Sequence, residues 1–315
     1  MSDENIFQTP DQLLEAYNNG FLGGYCDPQD LRTLLGELPM PLFGAAAYEL
    51  EFSGEGKLSL PYLSLVKFDP GFGPSEAQTT GDCVSHSTRN AVDVSRAVEI
   101  DIKGEAESFE ARGATEAIYG IRGHGGQGMS CSQAVRFINQ DGGILLRKKY
   151  DSINLDLSKY NANIGISWGT RGVPSNVKDT AKKNQVKTIS LVQTVSEARD
   201  AIANGYALTV CSDQGFSSMR DENGIAAPKG SWAHAMCWCG CDDTRSVYNE
   251  TLFLIVNSWG VWNAGPKKYN QPDGSFWIRQ SVAERMLAQR GSFAVSNFDG
   301  FPARRLPNYG FGEWL

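Results

Sequence analysis

The chain has no excess of basic residues. Its 315 residues include 29 Lys and Arg against 36 Asp and Glu, which gives a formal net charge of -7. Proteins that bind nucleic acid or anionic membranes through a general electrostatic attraction need a basic surface. We therefore expect neither nucleic acid nor a membrane as a partner.

The chain also lacks long apolar segments. Residues 1–12 contain neither the basic region nor the apolar stretch of a signal peptide. No apolar run reaches the ~20 residues that a membrane-spanning helix needs. These absences predict a cytoplasmic protein, or a virion component if the sequence is of phage origin.

Cysteine is odd in number, at seven residues. Without a visible export signal, this indicates that most of the thiols are reduced and buried rather than joined in a disulfide framework. Cys237, Cys239 and Cys241 alternate along a predicted strand and would share one face of it. A metal site and core packing are the two interpretations. Neighbouring ligands on one straight strand suit a tetrahedral ion poorly, so we expect packing, with no metal and no organic cofactor.

Two regions differ in their residue pattern. Residues 1–65 form an N-terminal extension with two short predicted helices, the first capped at Thr9 and the second starting at Pro28, followed by extended chain over residues 48–66. Residues 66–315 form the main domain. Its predicted helices start near Val84, at Ser130 and at Ser196. Its predicted strands cover residues 206–212, 233–241, 251–258, 276–280 and 292–297. Helices concentrate before about residue 160 and strands after it, which is an α+β arrangement.

A candidate nucleophile stands where a Gly-rich loop turns into a predicted helix. Gln78-Thr-Thr-Gly-Asp-Cys83 ends the loop, and the helical pattern begins at Val84. A helix N-terminus favours the thiolate, which is the nucleophilic form of cysteine. The Cys83 backbone N–H would point to where an oxyanion forms during acyl transfer, and Gln78 could supply a second donor.

The base must be one of three histidines. His86 lies one helical turn beyond Cys83 and is too constrained to serve, and His124 has no obvious partner to orient it. His234 enters an apolar strand, and the following strand ends at Asn257. A hairpin of these two strands would bring Asn257 beside His234, where its amide oxygen can hold the ring in place.

Taken together, these motifs resemble the papain-like cysteine peptidases. The resemblance rests on Gln78 and Cys83 in the loop, His234-Ala before an apolar strand, and Asn257-Ser-Trp-Gly260, and it covers roughly residues 66–300. It implies two lobes, a helical one that carries Cys83 and a β-barrel-like one that carries His234 and Asn257.

The resemblance also implies individual roles. Gln78 would be the oxyanion donor, Cys83 the nucleophile, His234 the base and Asn257 the orienting group. Trp259 would shield the Asn–His hydrogen bond and form a wall of the leaving-group pocket. The glycines of the 123–128 stretch would pair with the backbone of the substrate, and the binding residues predicted there are Gly125, Gly126 and Gly128.

Several positions depart from the family pattern. Gln78 is one residue closer to the nucleophile than is usual, Val84 replaces an aromatic residue, and the cysteine expected near the nucleophile's loop for a disulfide is missing. Asp82 is expected to cap the helix, although its charge would oppose a thiolate.

The function predicted from the sequence is peptide-bond hydrolysis through a Cys-His-Asn triad and an acyl-enzyme, with a peptide or protein substrate. The alternative is a catalytically weak or inactive module with a structural or binding role in a larger assembly such as a phage particle. A related acyl transfer, such as transpeptidation or isopeptide cleavage, would use the same residues. The extension of residues 1–65 is predicted to be a propeptide that fills the cleft or a segment that docks a protein partner.

Overall fold

A computed structural model describes residues 6–74 and 76–310 of the chain. Residues 1–5 of the predicted extension, together with Ser75 and residues 311–315 of the predicted main domain, lie outside the described residues. The helices are α1 Pro10–Asn18, α2 Pro28–Glu37, α3 Phe43–Ala46, α4 Tyr62–Phe68, α5 Cys83–Lys103, α6 Glu116–Gly120, α7 Cys131–Arg136, α8 Ala162–Arg171, α9 Ser175–Ala181, α10 Val195–Ala203 and α11 Gln280–Leu287. The strands are β1 Gly24–Tyr25, β2 Leu58–Ser59, β3 Met129–Ser130, β4 Lys149–Tyr150, β5 Leu155–Asp156, β6 Thr188–Leu191, β7 Leu208–Arg220, β8 Ala226–Asp242, β9 Leu252–Val256, β10 Ser275–Arg279 and β11 Ser292–Ser296.

The main sheet has seven strands, and their pairing is antiparallel throughout. Its order is β10-β9-β8-β7-β11-β6, and β2 pairs with the C-terminal end of β8. Among the described residues, edge strands β6 and β10 do not pair with each other, so the sheet stays open. The fold is mixed helix and sheet as predicted, but the expected β-barrel-like lobe is corrected to an open sheet.

Helix α5 is the central helix, and nearly all of its residues are buried. Val84, Ala91 and Val94 belong to one hydrophobic cluster with residues of the sheet such as Cys237 and Leu254. Each large apolar side chain buried in this way contributes about 1.5–3 kcal/mol. The cysteine at the start of α5 is thereby anchored to the core.

A second cluster gathers Leu13 and Tyr17 of α1, Trp238 of β8, Phe276 of β10 and Met286 of α11. The N-terminal helix is therefore part of the core. The extension also joins the main sheet, because β2 pairs with Cys241 and Asp242.

Some predicted elements need correction. Residues 48–66 are not simply extended, because Tyr62–Phe68 is helical. Pro61 precedes that helix, a position at which proline is well tolerated, and Tyr62 and Leu65 bury one face of it. Helices also occur after residue 160, since α8 to α11 all lie there. The cap of α10 is Thr194 rather than Ser196, because the Thr194 hydroxyl accepts from the Glu197 N–H and completes a capping box.

The predicted hairpin is confirmed, because β8 and β9 pair antiparallel and Cys237 lies opposite Val256. The pairing is irregular between Trp238 and Gly240. Beyond this bulge the strand faces reverse, so Cys237 and Cys239 join the first cluster while Cys241 joins the second. The expectation that all three cysteines share one face is therefore wrong.

In the part of the chain that the structure describes, no helix is both long enough and apolar enough to cross a bilayer.

Candidate active site

The nucleophile candidate lies at the first residue of α5, as the sequence predicts. Cys83 is completely buried. The loop before it is held by Gln127, whose side-chain oxygen accepts from the Thr80 hydroxyl at 2.8 Å and from the Gly81 N–H at 2.6 Å. This loop fixes the direction in which the chain enters the helix.

His234 and Asn257 meet across the β8–β9 hairpin. The His234 Nε2 atom donates to Asn257 Oδ1 at 2.8 Å, and the same oxygen accepts from the Ser258 N–H at 2.7 Å. Since Nε2 then carries the proton, Nδ1 holds the free lone pair. Among the described residues Nδ1 has no hydrogen-bond partner. The ring is thus oriented by an amide and keeps one nitrogen available as a base.

Trp259 lies against this pair. Its ring centroid is 4.8 Å from that of His234, and the residue is fully buried. The indole therefore covers one side of the imidazole and excludes water from it.

Gln78 is held close to the same region from the other side. Its backbone N–H donates to the Ser258 carbonyl at 2.7 Å, and its side-chain oxygen accepts from the Ser258 hydroxyl. One N–H of its amide donates to the Thr80 carbonyl at 2.6 Å. The hydroxyl of Tyr17 lies near the same amide, so Tyr17 is a neighbour of the predicted oxyanion donor in this conformation.

Asp82 does not cap α5 through its side chain, which corrects the prediction. Its Oδ2 accepts from the Tyr160 hydroxyl at 2.8 Å and lies 3.4 Å from His86 Nε2. Asp82 and His86 are both buried. His86 therefore belongs to a buried polar group with Asp82 and Tyr160.

The three glycines that the sequence predicted to bind the substrate backbone lie in different surroundings. Gly128 has a φ of +76° and packs against the backbone of residues 22 and 23. Gly126 accepts at its carbonyl from Arg122 Nε at 3.0 Å, and Gly125 faces Thr170. The structure thus brings Gly128 to a chain lying in the cleft and places the other two away from it.

The N-terminal segment, residues 6–25, lies across this site, which is one of the two places that the sequence left open for the extension. Leu22 bridges Ala233, the Gly23 N–H donates to the Ala233 carbonyl at 2.9 Å, and the Met129 N–H donates to the Gly23 carbonyl at 2.9 Å. Strand β1 then continues parallel to β3. The segment therefore lies between Ala233 on one side of the site and Met129 on the other, and it pairs with the backbone of both.

Tyr17 is the residue of this segment that reaches the centre. Its ring lies 4.6 Å from that of His234 and 5.1 Å from that of Trp259, measured between centroids. A Cβ on Gly23 would overlap the Tyr17 hydroxyl and would lie 2.9 Å from Cys83 Sγ, so the hydroxyl and the thiol meet beside a position where only glycine fits. The hydroxyl is close enough to Cys83 and Gln78 to interact with both, but it makes no hydrogen bond of ordinary geometry within the described residues.

Burial governs the ionisation of the site. It raises the pKa of the Cys83 thiol to about 12, and the charge of Asp82 adds to that rise against the N–H groups of Ala235 and Val84. It lowers the pKa of His234 to about 3, against the opposing effect of the bond to Asn257. In this conformation the thiol and the imidazole are both neutral at pH 7, so no thiolate–imidazolium pair forms.

The cysteines follow the prediction only in part. Five are free, but Cys131 and Cys211 form a disulfide across 80 residues of sequence. In residues 6–74 and 76–310, no cluster of three or more His, Cys, Asp or Glu side chains could hold a metal ion.

Comparison with known proteins gives a fold and no close sequence relative. No family model and no curated protein matches the chain. Among solved structures, xylellain, a cysteine protease from Xylella fastidiosa, matches with a TM-score of 0.52 and 15% identity over 88% of this chain and 96% of its own. A digestive procathepsin L 3 from Tenebrio molitor larval midgut matches with 0.51 and 14% over 91% and 79%. A procathepsin B from Trypanosoma congolense matches with 0.52 and 11% over 87% and 86%. The chain therefore has the fold of the papain-like cysteine proteases, in a highly divergent sequence.

Proposed function

We propose that the chain is a cysteine peptidase of the papain type and that this conformation is its closed, resting form. The observation that carries the proposal is the 2.8 Å hydrogen bond between His234 Nε2 and Asn257 Oδ1. It orients an imidazole on strand β8, whose next residue, Ala235, lies close to the Cys83 sulfur.

In the open enzyme, solvent and the neighbouring imidazolium stabilise the Cys83 thiolate. The sulfur attacks the carbonyl carbon of a peptide bond, while the Cys83 N–H and Gln78 stabilise the oxyanion. His234 gives its proton to the leaving amine and then takes a proton from the water that hydrolyses the acyl-enzyme. Asn257 keeps the ring aligned through both steps.

We assign an inhibitory role to the N-terminal segment in preference to the docking of an assembly partner. Tyr17 fills the space beside Trp259 and faces the Cys83 thiol, and Cys83 and His234 have no exposed surface. A substrate carbonyl reaches the sulfur only after Tyr17 leaves. Burying a tyrosine ring here contributes a few kcal/mol to closure, which is enough to hold nearly all molecules closed and still permit opening.

The substrate class is peptide or protein, since the cleft already pairs with extended backbone at Ala233 and Met129. Transpeptidation or isopeptide cleavage would use the same groups, and the products of a peptide reaction distinguish them from hydrolysis. The cytoplasmic or virion location stays a proposal from sequence. The Cys131–Cys211 disulfide favours an oxidising compartment instead.

The test is labelling of Cys83 by an epoxide-type thiol inhibitor in the full chain and in Tyr17→Ala, with Cys83→Ala as the control. We expect a single labelled cysteine, Cys83, and labelling that is much faster in the Tyr17→Ala protein. If Cys83 stays unlabelled in folded Tyr17→Ala protein, the site is not an activated nucleophile. The chain would then be an inactive module with this fold.

A further inference from the structure

Three cysteines converge at the place where the N-terminal segment leaves the active site. Cys131 and Cys211 form the disulfide that joins the start of α7 to β7. Cys26 directly follows β1 and is free and half-buried.

The strand register brings Cys26 to Cys131. Gly24 is paired with Met129 and Tyr25 with Ser130 in the parallel β1–β3 pair. The next residue on each strand is a cysteine, so Cys26 follows the ladder on the side where Cys131 bonds to Cys211.

Gly291 shows that Cys26 also lies beside Cys211. A Cβ on Gly291 would overlap Cys26 Sγ and would lie 3.0 Å from Cys211 Cβ, so the two cysteine side chains meet at the same point. The Gly291 carbonyl also accepts from the Cys211 N–H at 2.9 Å, which fixes this point against β7. A free thiol thus stands next to an existing disulfide.

We propose that Cys26 exchanges with the Cys131–Cys211 disulfide, and that the resulting Cys26–Cys211 bond locks the N-terminal segment over the active site. The regulatory meaning of this lock rests on the proposed peptidase function, but the exchange itself does not.

The exchange is balanced within the chain. The Cys26 thiolate attacks Cys211 Sγ, the Cys26–Cys211 bond forms, and the Cys131–Cys211 bond breaks. Cys131 leaves as a thiolate and takes up the proton that Cys26 released. One disulfide and one thiol are present before and after, so no external oxidant is needed.

The Cys131–Cys211 bond persists in the resting state because its exchange with Cys26 is slow. Burial raises the pKa of the Cys26 thiol to about 11, so little thiolate is present at neutral pH. Exchange is therefore slow until a thiol–disulfide buffer catalyses it. A segment locked in this way would stay attached to the enzyme even after the chain was cut between residues 26 and 58.

The first experiment maps the disulfides in the full chain carrying Cys83→Ala, so that the candidate nucleophile takes no part. The protein is incubated in a reduced and oxidised glutathione buffer, its free thiols are blocked, and it is digested without reduction for mass spectrometry. We expect a Cys26–Cys211 peptide to appear beside the Cys131–Cys211 peptide. In a Cys131→Ala variant of the same protein we expect Cys26–Cys211 to become the main disulfide.

Two results would overturn the exchange. One is a disulfide pattern of the Cys83→Ala protein in which Cys26 is never joined to Cys211, including a product that joins Cys26 to Cys131. The other is a folded Cys131→Ala protein in which Cys26 and Cys211 each carry glutathione and do not join. The Cys83→Ala protein with its other cysteines intact decides the matter if the Cys131→Ala variant does not fold.

The second experiment tests the lock with Cys83 restored. Epoxide labelling of Cys83 is compared between oxidised Cys131→Ala and its matched control Cys26→Ser/Cys131→Ala, in mild urea that loosens the segment. A tether raises the effective concentration of the segment, so we expect labelling to be slower by roughly tenfold or more in the linked protein. Equal rates would remove the lock and leave the exchange standing. Failure of Cys83 to label in any variant would count against the peptidase proposal and leave the mapping result unaffected.

Discussion

His234 and Tyr17 reach the same site on supports of different strength. His234 stands on β8, which pairs with β7 on one side and with β9 on the other. Tyr17 belongs to a segment whose backbone is joined to the rest of the site by a two-residue parallel pairing, a bridge at Leu22 and one bond from Phe7 to Thr79. The Trp232 indole adds a side-chain bond to Asn18. Elements with few backbone hydrogen bonds to their neighbours open locally, while central strands open only when the whole domain unfolds. We therefore expect the His234–Asn257 pair to persist when the protein opens locally, and the N-terminal segment to be the part that opens.

The largest expected effect is the loss of peptide hydrolysis when His234, on its central strand, is replaced. His234→Ala removes the base and proton donor, and we expect peptide hydrolysis by an opened enzyme to fall by a factor of roughly 10⁴ to 10⁶. The measurement is cleavage of a fluorogenic peptide by the Tyr17→Ala protein with and without the second substitution. His124→Ala is the matched control, since His124 lies outside the site, and it should leave the rate unchanged. A His234→Ala enzyme of near-normal rate would exclude this imidazole from the chemistry.

The next largest effect is a faster labelling of Cys83 when Tyr17, in the N-terminal segment, is replaced. Tyr17→Ala deletes a buried ring, a change that typically destabilises by about 3–5 kcal/mol in a core. Part of that loss falls on closure, so we expect Cys83 labelling to be roughly a hundredfold faster. Tyr17→Phe keeps the ring and should fall between Tyr17→Ala and the natural protein. Tyr48→Ala is the control, because Tyr48 is 71% exposed in the same extension. An unchanged labelling rate in Tyr17→Ala would mean that the ring does not govern access.

Acid should open the segment without any substitution. Burial in the closed form lowers the pKa of His234 from its ordinary value of 6.5 to about 3, so the closed form resists protonation. The contribution of His234 to closure is fully present above pH 6.5 and is lost progressively as the pH falls towards 3. We expect the open fraction to rise about tenfold or more by about pH 4.5. Hydrogen exchange in Pro10–Asn18, corrected for the intrinsic effect of pH, measures the open fraction. His234→Gln should abolish the acid response, and its persistence in that variant would assign the response to another group.

The smallest effect should come from the cap of α1. The Thr9 hydroxyl accepts from the Gln12 N–H in a capping box, and loss of such a cap costs about 1 kcal/mol. Thr9→Ala should therefore speed Cys83 labelling by no more than about fivefold. Thr33→Ala, in helix α2, is a matched change away from the cap. A Thr9→Ala effect as large as that of Tyr17→Ala would show that helix formation, rather than the ring, holds the segment.

The sequence predicted that His234 and Asn257 meet, because local patterns determine it. Two apolar strands joined by a polar turn pair as a hairpin, and the hairpin register carries Asn257 to His234. The start of α5 at Cys83 follows equally from the glycine-rich loop before a helical pattern. These features depend on short-range sequence and on strand pairing between neighbours.

What the sequence did not predict depends on contacts between distant segments. Tyr17 looks like any aromatic residue on the apolar face of a short helix, and only the following Gly23-Gly24 pair, which permits close approach of two backbones, could have hinted at its place. The Cys131–Cys211 bond spans 80 residues, so no spacing rule indicates it. Cys241 changed faces because of a bulge, which one inserted residue produces without a sequence signal strong enough to read.

The Tyr17 hydroxyl, which lies against the Cys83 sulfur, has a consequence for how the N-terminal segment could be cleaved. It is a phenolic oxygen of a side chain, and the nearby Gly23 carbonyl is engaged by the Met129 N–H. On the proposed peptidase function, the side chain that meets the Cys83 sulfur holds no bond that a peptidase cleaves. If the proposed peptidase removes these residues, we expect a second molecule to make the cut, so that processing in a purified preparation would accelerate with protein concentration.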